Sequence, residues 1–309
     1  MRRYPMNTKQ ADTPGHVVLG FDGGWRMPYL LRVSAEEAAL RRAALAIVMI
    51  SRAALDPGLS TGGRIAAERR AEASAHRHLS QAAQSVQARY PDLAVTTCHL
   101  TEETARAAPP PLDSAQLLVV GTVGQHGRRV FSPDSVSNML LRTTRGQVLV
   151  VPHDAPDPSA QPRLRTVIAG VGEHPSDADV VHVAANESRL RGANLKILHT
   201  YRVQPTEGPT QARRRAEDVV ARAVADAGIG THEGLSLLLG EDEAAVALTR
   251  QAADADLLVI GSRLGSLFGD VRGSVGLAVI RSLHCPLLVV RDPVADPWSR
   301  SQAVAGADG

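Results

Sequence analysis

Leu257–Gly261 reads LLVIG, and Leu117–Gly121, at an offset of 140 residues, reads LLVVG. Each is a short unbroken apolar run closed by glycine, the pattern of a strand buried on both faces of a parallel sheet. Upstream, Glu187, Leu190, Arg191, Ala193, Leu195 and Ile197 fall over Glu37, Leu40, Arg41, Ala43, Leu45 and Ile47 at an offset of 150. The chain therefore says the same thing twice. A period near 150 residues is too long for a solenoid unit and fits one complete domain.

Working outward, strands are expected at Val17–Phe21, Leu45–Ile50, Leu93–Cys98, Leu117–Val120 and Val148–Val151 in the first repeat. The second repeat gives Thr166–Val171, Leu195–His199, Leu235–Leu239, Leu257–Ile260 and Leu287–Val290. Between them, Ala216, Val219, Val220, Ala223 and Ala227 keep a helical period, as do Val275, Ala278, Val279 and Leu283. Each repeat is read as an open five-stranded parallel sheet with helices on both faces, a doubly wound α/β architecture. The three prolines of Ala107–Leu112 (AAPPPL) cannot sit inside a helix, so the third helix of the first repeat is expected to be short or lost where the second has one over Glu241–Ala253. The proline-rich stretch Pro152–Pro162 marks the boundary. The expected organisation is a loose N-terminus over 1–15, a first domain over 16–153, a linker over 154–163, a second domain over 164–291 and a loose tail over 292–309.

Composition narrows the function classes. At 309 residues and 44% hydrophobic the chain can bury two cores, but aromatics are only 3%, too few for platforms that stack single-stranded bases. A net charge of +2 from 34 basic and 32 acidic residues argues against nucleic-acid binding. Arg213–Arg215, followed by Glu217 and Asp218, reads as a solvated helix face. Cys98 and Cys285 stand apart with no metal-type spacing and read as buried reduced thiols. The opening residues have no apolar core, and no run of 18 apolar residues occurs anywhere, so a cytoplasmic protein without membrane contact is expected.

The chemistry points to Gly261–Ser274, a glycine-rich turn between an apolar strand and a helix. In an open parallel sheet ligands bind beyond the carboxyl ends of the strands, where helix N-termini offer free N–H groups to anions. Glycines let the backbone come close to a phosphate, Ser274 can donate to it or cap the helix, and Arg263 and Arg272 add charge. A flexible turn with an ordinary serine cap would look the same at this level. No nucleophile elbow and no zinc-protease motif is present. His199 at a strand end reads as structural, and His76 and His78, two apart on a helix, do not share a face.

Taken in order, VVLGFD (Val17–Asp22), EEAALRRAALAIVMI (Glu36–Ile50), RLRGANLKILHTY (Arg189–Tyr201), DADLLVIGSR (Asp254–Arg263) and GSVGLAVIRSLHCPLLVVR (Gly273–Arg291) resemble the universal stress protein family in its tandem form. The resemblance implies two Rossmann-like domains of the adenine nucleotide alpha hydrolase type, packed as an intrachain pseudo-dimer through Val148–Val151 and Leu287–Val290, with a homodimer open as a further assembly. It implies ATP or AMP as ligand, an aspartate after the first strand near adenosine, and the motif G-x2-G-x9-G-S/T around the phosphates. The first repeat matches with Asp22, Gly121, Gly124, Ser135 and Ser137, but Asp134 replaces the last glycine and would face the phosphate with a like charge. The second matches with Gly261, Gly265, Gly273 and Ser274, with Arg263 beside them. Gly172 stands in place of the aspartate, Leu264 takes the second glycine's place and the loop is one residue short. The family implies a stress-responsive regulator, not an enzyme. A scaffold that has lost its nucleotide and works through protein partners is the alternative, and a weak ATP hydrolase is less favoured because no general base is in view.

Overall fold

The computed structural model describes residues 15–21, 27–51, 60–106, 112, 114–122, 140, 146–152, 165–230, 234–262 and 275–291. These fall into two compact units that divide after Val119, with 140 and 146 in the first and 147 onward in the second.

The first unit is built from β1 (His16–Phe21), α1 (Met27–Leu40), β2 (Ala44–Ser51), α2 (Thr61–Arg89), β3 (Val95–Thr101), α3 (Glu102–Arg106) and β4 (Ala115–Gly121), whose last two residues fall past the division. Its strands lie in the order β3-β2-β1-β4, and each pairing is parallel, with Val17 opposite Leu45 and Leu117, and Leu45 opposite Val95. Val17, Val18, Leu45, Ile47, Leu118 and Val119 are wholly buried, as strands covered on both faces must be. α2 begins at Ser60, whose hydroxyl accepts the Gly63 N–H at 3.2 Å, and buries Ala75, Leu79, Ala82 and Val86. β3 begins two residues later than the apolar run suggests, because the Leu93 N–H closes a turn on the Tyr90 carbonyl at 3.1 Å. α3 is described over Glu102–Arg106, and the three prolines expected to shorten it, Pro109, Pro110 and Pro111, lie outside the described residues. At Gly146 a side chain would run into the Ala115 carbonyl oxygen, so only glycine fits there.

The second unit holds β5 (Gln147–Val151), β6 (Thr166–Val171), α4 (Asp177–Arg191), β7 (Asn194–Thr200), α5 (Pro209–Asp226), β8 (Leu235–Gly240), α6 (Ala244–Ala252), β9 (Leu257–Ser262), α7 (Val275–Arg281) and β10 (Leu287–Arg291). The order β8-β7-β6-β9-β10 repeats that of the first unit with its own next strand added, and all four pairings are parallel. β5 completes this unit by pairing antiparallel with β10, Leu287 opposite Val150 and Val289 opposite Val148. These are the two segments the sequence sets against each other. α5 buries Ala216, Val219, Val220 and Ala223, with Ala227 just past its end. Each buried valine is worth roughly 1.5–3 kcal/mol over an exposed one.

Two expectations are corrected here. α6 starts at Ala244 and not at Glu241, because Glu243 holds an extended backbone as the residue before the helix. α7 buries only part of the expected face: Val279 and Leu283 are covered as expected, but Val275 is 41% exposed and Ala278 is exposed too, while Gly276 and Ile280 are buried. Ile280 offers more apolar surface than Ala278, so the helix turns one position around its axis.

Candidate functional site

In the second unit the chain builds β6, β7 and β8 outward on one side and then returns to lay β9 on the other side of β6. The order reverses between the carboxyl ends of β6 and β9, the position at which open α/β sheets take their ligands. β6 ends at Val171 and passes into Gly172, and β9 reaches this end through Gly261 and Ser262. The first unit repeats the reversal between β1 and β4, which ends at Gly121.

Gly261 has a packing reason to be glycine. A side chain there would lie 3.2 Å from Val180 Cγ2 and 3.6 Å from Ser176 Oγ, so the end of β9 passes close to the first turn of α4. The turn from Gly172 to Ser176 is closed from within. Asp177 Oδ2 accepts the Gly172 N–H at 3.0 Å and the His174 N–H at 2.9 Å, while His174 Nδ1 lies 2.8 Å from Ser176 Oγ. A carboxylate of the chain itself thus takes the backbone donors at the position where the resemblance expects an aspartate side chain. It also stands at a helix N-terminus, where negative charge is favoured.

The next turn is held from outside. Arg215 of α5 donates through Nη2 and Nε to the two carboxylate oxygens of Glu207 at 2.9 and 3.4 Å, through Nη2 to the Arg202 carbonyl at 3.0 Å, and through Nη1 to Glu173 at 3.1 Å. The Arg215 guanidinium, together with the Gln204 N–H, holds the Glu207 carboxyl below its usual range, and Glu207 in turn raises Arg215. His199, at the end of β7, is buried; its Nδ1 donates to the Val171 carbonyl at 3.1 Å, and its Nε2 has no hydrogen-bond partner among the described residues. Beside it, a surface cavity of about 240 Å³ is lined by Thr200, Tyr201, Arg202, Asp242, Glu243 and Ala244. Burial and the neighbouring Glu241, which accepts the Tyr201 hydroxyl at 3.3 Å, push that phenol up.

Of the residues the sequence selects, Gly121 and Gly261 are at strand ends as expected. Asp22, Gly124, Asp134, Ser135, Ser137, Arg263, Gly265, Gly273 and Ser274 lie outside the described residues. Sequence reading passed over Asp177, Glu173 and Glu207 and placed Arg215 on a solvated helix face, whereas it holds both glutamates. Ser176-Asp177 before an apolar period is a helix-start signal that could have been used. No spacing rule joins Glu173 to Arg215, which meet only through the fold. His99 and His76 do meet as rings 5.8 Å apart, and His99 Nε2 lies 2.9 Å from Ser51 Oγ. Among the described residues no group of three or more His, Cys, Asp or Glu could hold a metal ion, and no helix is long and apolar enough to cross a membrane. Both cysteines are free thiols, Cys285 buried and Cys98 only half-buried, because β3 stands at the end of its strand order.

Residues 163–291 match the model of the universal stress protein family. A universal stress protein of Mycolicibacterium smegmatis is 27% identical over 295 residues, covering 91% of this chain and 99% of the relative. Another, from Mycobacterium tuberculosis, is 29% identical over 213 residues, 63% of this chain and 69% of its own length. Among solved structures, a universal stress protein from Archaeoglobus fulgidus aligns over 89% of this chain and 96% of its own, at a TM-score of 0.57 and 16% identity, a likeness of fold. With the repeated strand order and the reversal at β6 and β9 already in place, residues 163–291 carry a domain that matches the universal stress protein family, and the chain as a whole is similar to proteins of that name.

Proposed function

We propose that this protein is a stress-responsive regulator of the cytoplasm that binds an adenine nucleotide, ATP or AMP, and works by binding and not by catalysis. The observation that carries this is the reversal of strand order between β6 and β9, with glycines Gly172 and Gly261 at the two strand ends. Such a reversal is where open α/β sheets take their ligands. Gly265, Gly273, Ser274 and Arg263 follow Gly261 in sequence and supply the donors a phosphate needs. The Asp177 carboxylate already accepts the Gly172 and His174 N–H groups, so the second repeat offers its phosphate side more readily than a full nucleotide seat. The first repeat carries the complementary set, Asp22, Gly121, Gly124, Ser135 and Ser137, with Asp134 opposing a phosphate.

Titration of the purified chain with ATP, AMP and cyclic AMP, with mass spectrometry of any copurified ligand, tests this. Each lost charge-assisted bond costs about 1.5–3 kcal/mol, so Ser274→Ala with Arg263→Ala is expected to weaken binding at least tenfold while Asp22→Ala changes it little. The reverse result moves the site to the first repeat. Asp134→Gly is expected to strengthen binding there, most at low salt. If no nucleotide binds to any form, the chain is a scaffold acting through protein partners, a reading favoured by the self-satisfied turn at Gly172.

A further inference from the structure

We infer that Arg215 is a two-armed latch at the carboxyl end of the second unit's sheet, with one arm that salt releases and one that it does not. The arms differ in geometry and in exposure. Toward the turn after β7, the guanidinium holds both oxygens of Glu207, whose side chain is only 8% exposed, and adds the Arg202 carbonyl. Toward the turn after β6 it holds Glu173 by one bond at 3.1 Å, and that carboxylate is 59% exposed. A forked pair shielded from water keeps its strength, because it is directional and screened little by ions. A single contact between exposed charges is worth little and fades as the Debye length shrinks from about 10 Å at 0.1 M salt to about 3 Å at 1 M.

Rising ionic strength therefore frees Glu173 while Glu207 keeps the guanidinium in place. The turn from Gly172 to Ser176 is then held only by its internal bonds to Asp177 and by the His174–Ser176 contact. That turn follows β6 and lies beside the end of β9, where Gly261 approaches Ser176 and Val180, so its release loosens the backbone at the reversal of strand order in response to salt. The latch closes again when salt falls, since Arg215 never leaves Glu207. The device is independent of nucleotide binding.

Backbone amide order parameters of the intact chain test it, read at Glu173, His174 and Ser176 for the first turn and at Val203, Gln204, Thr206 and Glu207 for the second. Between 0.1 and 1 M NaCl the first set is expected to fall from the rigid range near ~0.85 toward ~0.6 while the second stays put. Glu173→Gln is expected to show the loosened first turn already at 0.1 M, with no further response to salt. Arg215→Met is expected to loosen both turns at either concentration. A first turn in the unaltered chain that ignores salt, or two turns that loosen together, would overturn the latch. So would a Glu173→Gln protein as rigid at 0.1 M as its parent, or an Arg215→Met protein whose second turn stays rigid.

Discussion

The C-terminal ends of α1 and α4 share an ion pair and the bond by which the chain leaves the helix, whereas the sequences that precede these two helices have parted. At the first pair of sites, Glu37 binds Arg41 and Glu187 binds Arg191, each pair about nine-tenths buried and at the same place in its repeat. The chain then leaves the helix the same way. The Ala43 N–H donates to the Ala38 carbonyl at 2.9 Å and the Ala193 N–H to that of Ser188 at 2.8 Å, through Arg42 at φ 52° and Gly192 at φ 58°. At the other end of the helices, Asp22 of one repeat faces Gly172 of the other in the alignment. The helix C-termini feed the amino ends of β2 and β7, where packing alone decides what is tolerated. The preceding turns lie at the carboxyl ends, where a ligand can decide. The repeats diverged where the fold does not need them alike.

Removing one partner of the shared ion pair should break the comparison most violently. Glu187→Ala and Glu37→Ala each leave a largely buried arginine without its carboxylate, a loss of about 3 kcal/mol. Chemical denaturation, with hydrogen exchange to locate the opening, should show matching losses in the two repeats. Clearly unequal losses would mean that the two ends have diverged beneath similar geometry.

The cap residues sharpen the comparison at smaller cost. Arg42 holds a left-handed backbone that an L side chain pays about 1–2 kcal/mol to adopt, and Gly192 holds the same backbone freely. Arg42→Gly should therefore stabilise the first repeat by about 1 kcal/mol, and Gly192→Ala should destabilise the second by a similar amount. A side chain at 192 would meet nothing within 4 Å, so the cost measured there is conformational alone. Thermal unfolding of the two variants reads both signs.

Acid should separate the repeats most gently. Burial, then the nearby His76 charge, lowers His99 from its ordinary value of 6.5, with Glu72 opposing. A base whose folded value is depressed favours the fold above its unfolded value and loses that support as pH falls from about 6.5 through the folded value. Glu207, depressed from 4.5 by Arg215, keeps its support down to about 4.5 and loses it as pH falls through its own lower value. Amides around β3 should thus loosen at a higher pH than those around Glu207, and His99→Gln should remove the upper phase. Hydrogen exchange corrected for intrinsic rate resolves the order.

Much of this fold was legible because it depends on periodicity. Five apolar runs per repeat and the stripe Ala216, Val219, Val220, Ala223 and Ala227 state burial directly, and the structure buries all five of those residues. The face of α7 was misjudged because two overlapping stripes, one through Ala278 and one through Ile280, fit its short length, and only packing chooses between them. The start of β3 was misjudged because a turn at Tyr90 takes Leu93 out of the ladder. The glycines after β9 were visible as a motif, and Gly261 proves to have a packing role as well. Glu173 and Arg215, far apart in the chain, become neighbours only once β6, β7 and α5 are assembled.

The antiparallel seam of β5 on β10 sets an order of events during synthesis. β5 leaves the ribosome when neither β9 nor β10 yet exists, and at roughly 5–20 residues per second its partner follows on the order of ten seconds later. In that interval Val148, Leu149, Val150 and Val151, all buried in the finished protein, form an apolar strand whose antiparallel edge is open. The nearest competing occupant is the same segment of another nascent chain on the same message. Slow translation of the second repeat lengthens the interval, so yield should depend on how fast residues 152–291 are made as well as on how stable the product is.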